Sequence, residues 1–85
     1  MRIVVVYKDQ TDYARTVIDY LRDFEYQTGH ILETLDPDTP DGVQFCDTYD
    51  IVEYPTIVAT SDDGVMQQTW HGLPLPTIIE LSYYV

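Results

Sequence analysis

Residues 2–7, RIVVVY, form a short run rich in β-branched side chains, and the residues after it change period at once. Tyr13, Ala14, Val17, Ile18, Leu21 and Phe24 recur at helical spacing, with Asp12, Arg15, Thr16, Asp19, Arg22 and Asp23 between them. A strand apolar on both faces must be covered on both sides, and an amphipathic helix directly behind it supplies one cover. This pairing restricts the chain to layered α/β architectures. Asp9, Gln10 or Thr11 is expected to cap the helix, with Asp12 in its first turn facing the positive end of the helix dipole.

The rest of the chain extends the pattern. TGHILETL (28–35) reads as a second strand, and strand, helix, strand in that order implies a parallel crossover. DPDTPDG (36–42) is a loop, and a short helix is expected over 40–48 with Thr39 as cap and Pro40 at its first position. PTIVAT (55–60) and VMQQTW (65–70) flank the Asp63-Gly64 turn signal and read as a β-hairpin. LPLPTIIELSYYV (73–85) reads as a terminal helix with Pro74 or Pro76 in its first turn, and with Leu75, Ile78, Ile79 and Leu81 toward the sheet. The expected order is β-α-β-α-β-β-α in one domain, residues 1–85, around a four-stranded mixed sheet. There is no internal repeat, low-complexity tract or linker.

Hydrophobic residues make up 45% of the 85 positions and aromatics 13%, enough for a packed globule. Eight tyrosines are expected to supply much of its buried area. The formal net charge is −11, and no Lys or Arg follows Arg22. An acidic surface repels phosphate backbones and anionic lipid, so nucleic acid and membrane are poor partners. It reads as a solvated shell that aids solubility or salt tolerance, or as a docking face for a basic partner. No apolar run reaches the length of a membrane span, and the first residues lack a secretory signal. With one free thiol, these features point to the cytoplasm.

Few residues invite chemistry. Cys46 is the only cysteine, so there is no internal disulfide. It reads as a small buried hydrophobe, or alternatively as a redox-sensing thiol, although Asp47 and Asp50 disfavour a thiolate. No metal site or cofactor is expected. Asp36 and Asp38 have calcium-loop spacing, but Pro40 and Asp41 stand where a ligand and the tight-turn glycine belong. His30, in the expected strand, and His71, at a strand end, match no compact zinc motif.

YDIVEYPTIVATSDDGVMQQTWHG (49–72) resembles the second half of thioredoxins and glutaredoxins, through Tyr49, Ile51, Pro55, Thr56, the Asp63-Gly64 turn and Gly72. VVVYKDQTDYARTVIDYL resembles the glutaredoxin strand, active loop and helix, with Thr11, Asp12, Tyr13 and Ala14 where the family has Cys-Pro-Tyr-Cys. The resemblance implies a thioredoxin-like fold with a cis peptide before Pro55, facing the 10–14 loop. Without the resemblance, Pro55 simply begins a strand. It also implies that Tyr54 offers its backbone N–H and C=O to an extended partner. Dithiol exchange is not expected, because Thr11 and Ala14 cannot form a disulfide, and Thr11 has no evident base to make it a nucleophile. Tyr13 either packs locally or lines a groove. The expected function is a redox-inactive protein- or peptide-binding module whose groove holds Lys8, Tyr13, Tyr54, Pro55, Trp70 and Gly72, with Thr11 and His71 at its margins. The alternative is a thiol-dependent sensor acting through Cys46.

Overall fold

The computed structural model describes residues 1–85. Its elements run β1 (Arg2–Val6), α1 (Ala14–Thr28), β2 (Glu33–Leu35), α2 (Pro40–Tyr49), β3 (Thr56–Thr60), β4 (Met66–His71) and α3 (Ile78–Ser82). The strands form one sheet in the order β2-β1-β3-β4, parallel between β1 and β2 and antiparallel elsewhere. This is the expected four-stranded mixed sheet.

The two central strands explain the three layers. Side chains alternate along β1. Ile3 and Val5 join Val17 and Phe24 of α1, Leu32, Ile57, Ala59 and Leu81 of α3 in one apolar cluster. Val4 and Val6 join Phe45 and Cys46 of α2, Ile51 and Val58 in the other. Every residue of β3 is buried, as a central strand covered on both faces must be. The outer strands are polar and mostly exposed.

Local signals account for the element ends. Thr39 caps α2, its hydroxyl accepting the Gly42 N–H at 3.0 Å, with Pro40 at the first position as expected. The hairpin turns at Gly64, whose φ of 90° needs no Cβ penalty. Gly42 has a different role. It is buried where α2 meets the 36–37 loop, and a methyl group there would overlap the Asp36 carbonyl.

Four expectations require correction. First, α1 begins later than its polar residues suggested. Tyr13 is the N-cap, without a side-chain cap bond, so Asp9, Gln10 and Thr11 do not cap it and Asp12 lies before the first turn. Second, α1 continues through Thr28 and stops at Gly29, which adopts left-handed φ of 77°. Only three of the eight residues of the expected second strand are strand, and His30 lies outside any strand. Third, the terminal helix covers only Ile78–Ser82. Pro74 and Pro76 hold 73–76 outside it, and Thr77 caps it by accepting the Glu80 N–H at 3.1 Å. Fourth, Ile18 and Ile79 face solvent, and no tyrosine is fully buried. Tyr26 and Tyr83 are largely exposed, while the others lie at the margins of the clusters.

Candidate functional site

The 8–13 loop connects the end of β1 to α1, and its own polar groups tie it down. The Thr11 hydroxyl donates to the Lys8 carbonyl at 2.7 Å. The Lys8 N–H donates back to the Tyr13 hydroxyl at 3.1 Å. The Ala14 N–H reaches the Thr11 carbonyl at 3.3 Å. Thr11, Tyr13 and Ala14 thus close a small knot at the head of the helix, and Asp12 stays exposed. Tyr13 packs on the cluster under α1, so its ring serves locally while its hydroxyl anchors the loop.

Across from this loop, the Tyr54–Pro55 peptide is cis and Pro55 is fully buried. The Pro55 carbonyl accepts the Gly72 N–H at 2.7 Å, which ties the start of β3 to the end of β4. The Glu53 carbonyl accepts the Thr56 hydroxyl at 2.6 Å. Between these two, the Tyr54 N–H and C=O make no hydrogen bond within the chain. The half-buried Tyr54 ring packs on the cluster under α2, and the Lys8 ammonium stands over it, 5.3 Å from its centroid. Lys8 is held there by Asp38, at 3.7 Å. The Tyr54 phenol is pushed above its ordinary pKa, first by burial and then by the neighbouring Cys46 thiol and the Asp38 carboxylate.

Lys8, Tyr13, Tyr54, Pro55 and Gly72 therefore belong to one end of the sheet. Trp70 does not. It lies across the sheet from Ile57 and turns toward α3, where its indole N–H donates to Glu80 at 3.2 Å and its ring meets Tyr84 edge-on, centroids 5.4 Å apart. His71 is exposed next to Gly72. Asp38 and Glu53 are the site's neighbours that sequence reading missed. No local motif marks either one: Asp38 reaches Tyr54 from a loop distant in sequence, and Glu53 is the residue beside it. Cys46 lies under this surface, in the cluster with Val4, Val6 and Val58, and is 8% exposed.

The two surface clefts lie elsewhere. One, of about 430 Å³, is lined by Arg2, Ile3, His30 and Leu32 among others, and a smaller one lies along α2 at Phe45 and Tyr49. The Tyr54 surface is thus an open edge and not a small-molecule pocket. No group of three or more His, Cys, Asp or Glu side chains is arranged to hold a metal ion. No helix is long and apolar enough to cross a membrane.

The strand order, the crossover through α1 and the placement of Pro55 opposite the α1 loop can be compared with known proteins. Among solved structures, thioredoxin 1 from the thermophilic eubacterium Thermosipho africanus TCF52B superposes with a TM-score of 0.67, over 99% of this chain and 89% of that one. This chain has the thioredoxin-like fold. Sequence identity in the superposition is 11%, so the likeness carries the fold and not the activity. No protein-family model and no curated protein matches the sequence. Within this thioredoxin-like frame, the loop before α1 has Thr11 and Ala14 in a hydrogen-bonded knot, and the chain's single thiol is buried on the other side of the sheet from α1.

Proposed function

We propose that this thioredoxin-like chain is a redox-inactive binding module that pairs an extended protein or peptide segment with the backbone of Tyr54. The observation that supports it best is the pair of unsatisfied backbone groups at Tyr54, flanked by carbonyls that are satisfied. Backbone donors and acceptors in folded chains are nearly always paired or solvated, and a free N–H and C=O on the residue two before β3 can take up a strand added at that end of the sheet. The loop knot at Lys8, Thr11 and Tyr13 holds the facing wall in place, so little ordering entropy remains to be lost on binding. The redox-inactive reading is supported by the cysteine count: dithiol disulfide exchange needs two thiols, and this chain has one. Burial of Cys46 counts against its use as a sensor.

The test compares wild type with a Tyr13→Ala, Tyr54→Ala double variant shown to be folded. Each is used to capture partners from lysate, and the captured protein is then purified and recombined. The expected result is binding by wild type alone, with slowed hydrogen exchange at the Tyr54 amide in the complex. Equal binding by both chains, with unchanged exchange at Tyr54, overturns the proposal.

A further inference from the structure

We infer that the segment accepted at Tyr54 is basic: an extended stretch of a partner protein with lysine or arginine beside the residue that pairs. This rests on the Tyr54 reading above and adds the chemistry of the partner.

The argument starts from what surrounds the unpaired groups. Glu53 precedes Tyr54, is exposed, and brings its carboxylate across to Gly72, 3.3 Å from where a Cβ would stand on that glycine. Asp38 approaches from the loop before α2 and is close enough to Lys8 to pair with it. Its neighbour Asp36 is exposed and accepts the Asp38 N–H at 2.9 Å. Two loops, distant in sequence, thus bring carboxylates to one short stretch of backbone.

The same surface already accommodates a cation. Lys8 stands over the Tyr54 ring and against Asp38 at the same time, a cation–π contact backed by a carboxylate. Lys8 is the single basic side chain here, and Asp38 offsets its charge. A second cation arriving beside it meets Glu53, which has no basic partner within ion-pair distance. An acidic segment would meet uncompensated like charge at the same place, which costs affinity and slows encounter. A neutral segment would gain the backbone pairing alone.

The experiment uses the whole chain and four short fluorescent peptides of strand-forming sequence. In the first three, Val and Thr alternate with Lys, with Gln or with Glu. The fourth is the Lys peptide N-methylated at alternate backbone nitrogens, which removes donors without changing charge. Binding is followed by fluorescence anisotropy at low and high salt. The expected order is Lys peptide about tenfold tighter than Gln peptide, Glu peptide weakest, and the N-methylated peptide reduced to the level of non-binding. Glu53→Gln and Asp38→Asn should each weaken the Lys peptide several-fold and leave the Gln peptide unchanged. If the Gln peptide binds as tightly as the Lys peptide while N-methylation abolishes binding of the Lys peptide, the basic partner is wrong and the Tyr54 pairing stands. If the Lys peptide binds equally with and without N-methyl groups, attraction to the acidic surface is diffuse and both readings fail. If none of the peptides binds, both fail as well.

Discussion

The Tyr13 hydroxyl accepts the backbone N–H of Lys8 at 3.1 Å, across the loop that leads into α1. With the Thr11 hydroxyl on the Lys8 carbonyl, this satisfies both backbone groups of one part-buried residue from two side chains. Tyr13→Phe removes the acceptor and leaves the N–H without a partner. It should cost about 1 kcal/mol in denaturant unfolding, whereas Asp12→Ala, at an exposed position, should change stability by less than about 0.5 kcal/mol. Equal midpoints for wild type and Tyr13→Phe would show that water replaces the tyrosine freely.

Cys46 should be inert in the folded protein. Its sulfur lies among Val4, Val6, Phe45 and Val58, and the Tyr54 ring packs on the same cluster. A thiol-specific chromogenic reagent should react slowly with native protein and at once after unfolding. The Tyr54→Ala variant should react faster than wild type, because the phenol beside the thiol is gone. Rapid reaction of native wild type would revive a sensing role for this cysteine.

How much of this was legible follows from which signals were local. Thr39-Pro40 opens α2 and Asp63-Gly64 turns the hairpin because each motif acts within a few residues. The continuous apolar run of β1 likewise announced a strand covered on both sides. The polar residues ahead of α1 misled, since Thr11 uses its hydroxyl on Lys8 and leaves the cap to Tyr13. Two missed signals were present. Gly29 marks a left-handed helix end, and Thr77 with Glu80 three residues later has capping-box spacing, which sets the start of α3. The surroundings of Tyr54 were not legible in the same way. Asp38 lies 16 positions away in sequence and meets Tyr54 only because α2 folds back onto the sheet. The surroundings of Trp70 were hidden for a related reason: strand register puts it opposite Ile57, and its indole meets Glu80 and Tyr84 only through α3 and the chain end.

Gly42 should tolerate no side chain. The Asp36 carbonyl and the Pro37 backbone press against it, and both are main-chain atoms with little room to give. Gly42→Ala would ordinarily gain about 1 kcal/mol of helix propensity. Overlap with backbone should outweigh that gain and destabilise by about 1–3 kcal/mol. Thermal melts decide the sign, and a higher Tm for Gly42→Ala would show that the 36–37 loop can move away.

Tyr20 is half-buried, and its hydroxyl has no hydrogen-bond partner. Burial, with a smaller effect from Glu80, pushes its pKa up to about 12. The folded state therefore holds this proton more tightly than the unfolded chain. Its contribution to stability is complete below about pH 10 and is lost as pH rises from there through 12. Tyr20→Phe removes an unsatisfied hydroxyl and should raise stability by about 1 kcal/mol at neutral pH. The gap between variant and wild type should then widen in alkaline melts. A constant gap from neutral pH to pH 11 would place the Tyr20 hydroxyl in water.

Salt should stabilise the chain. All four Lys and Arg side chains have a carboxylate partner: Arg2 with Glu33, Lys8 with Asp38, and Arg15 and Arg22 both with Asp19. Of the fifteen carboxylate side chains, only those three and Asp62, beside the N-terminal amine, have a cation within 4.0 Å. The pairs are exposed or half-exposed, each worth at most about 1 kcal/mol, and salt weakens them. Repulsion among the remaining carboxylates extends over the whole surface, and raising salt from about 0.1 M to 1 M shortens the screening length from about 10 Å to about 3 Å. With a net charge of −11, relief of repulsion should exceed the loss of five exposed pairs. Tm should climb by several degrees over that range in sodium chloride. A falling Tm would mean that the Arg2–Glu33 pair, with its two hydrogen bonds of 2.6 and 2.8 Å, and its counterparts outweigh the repulsion.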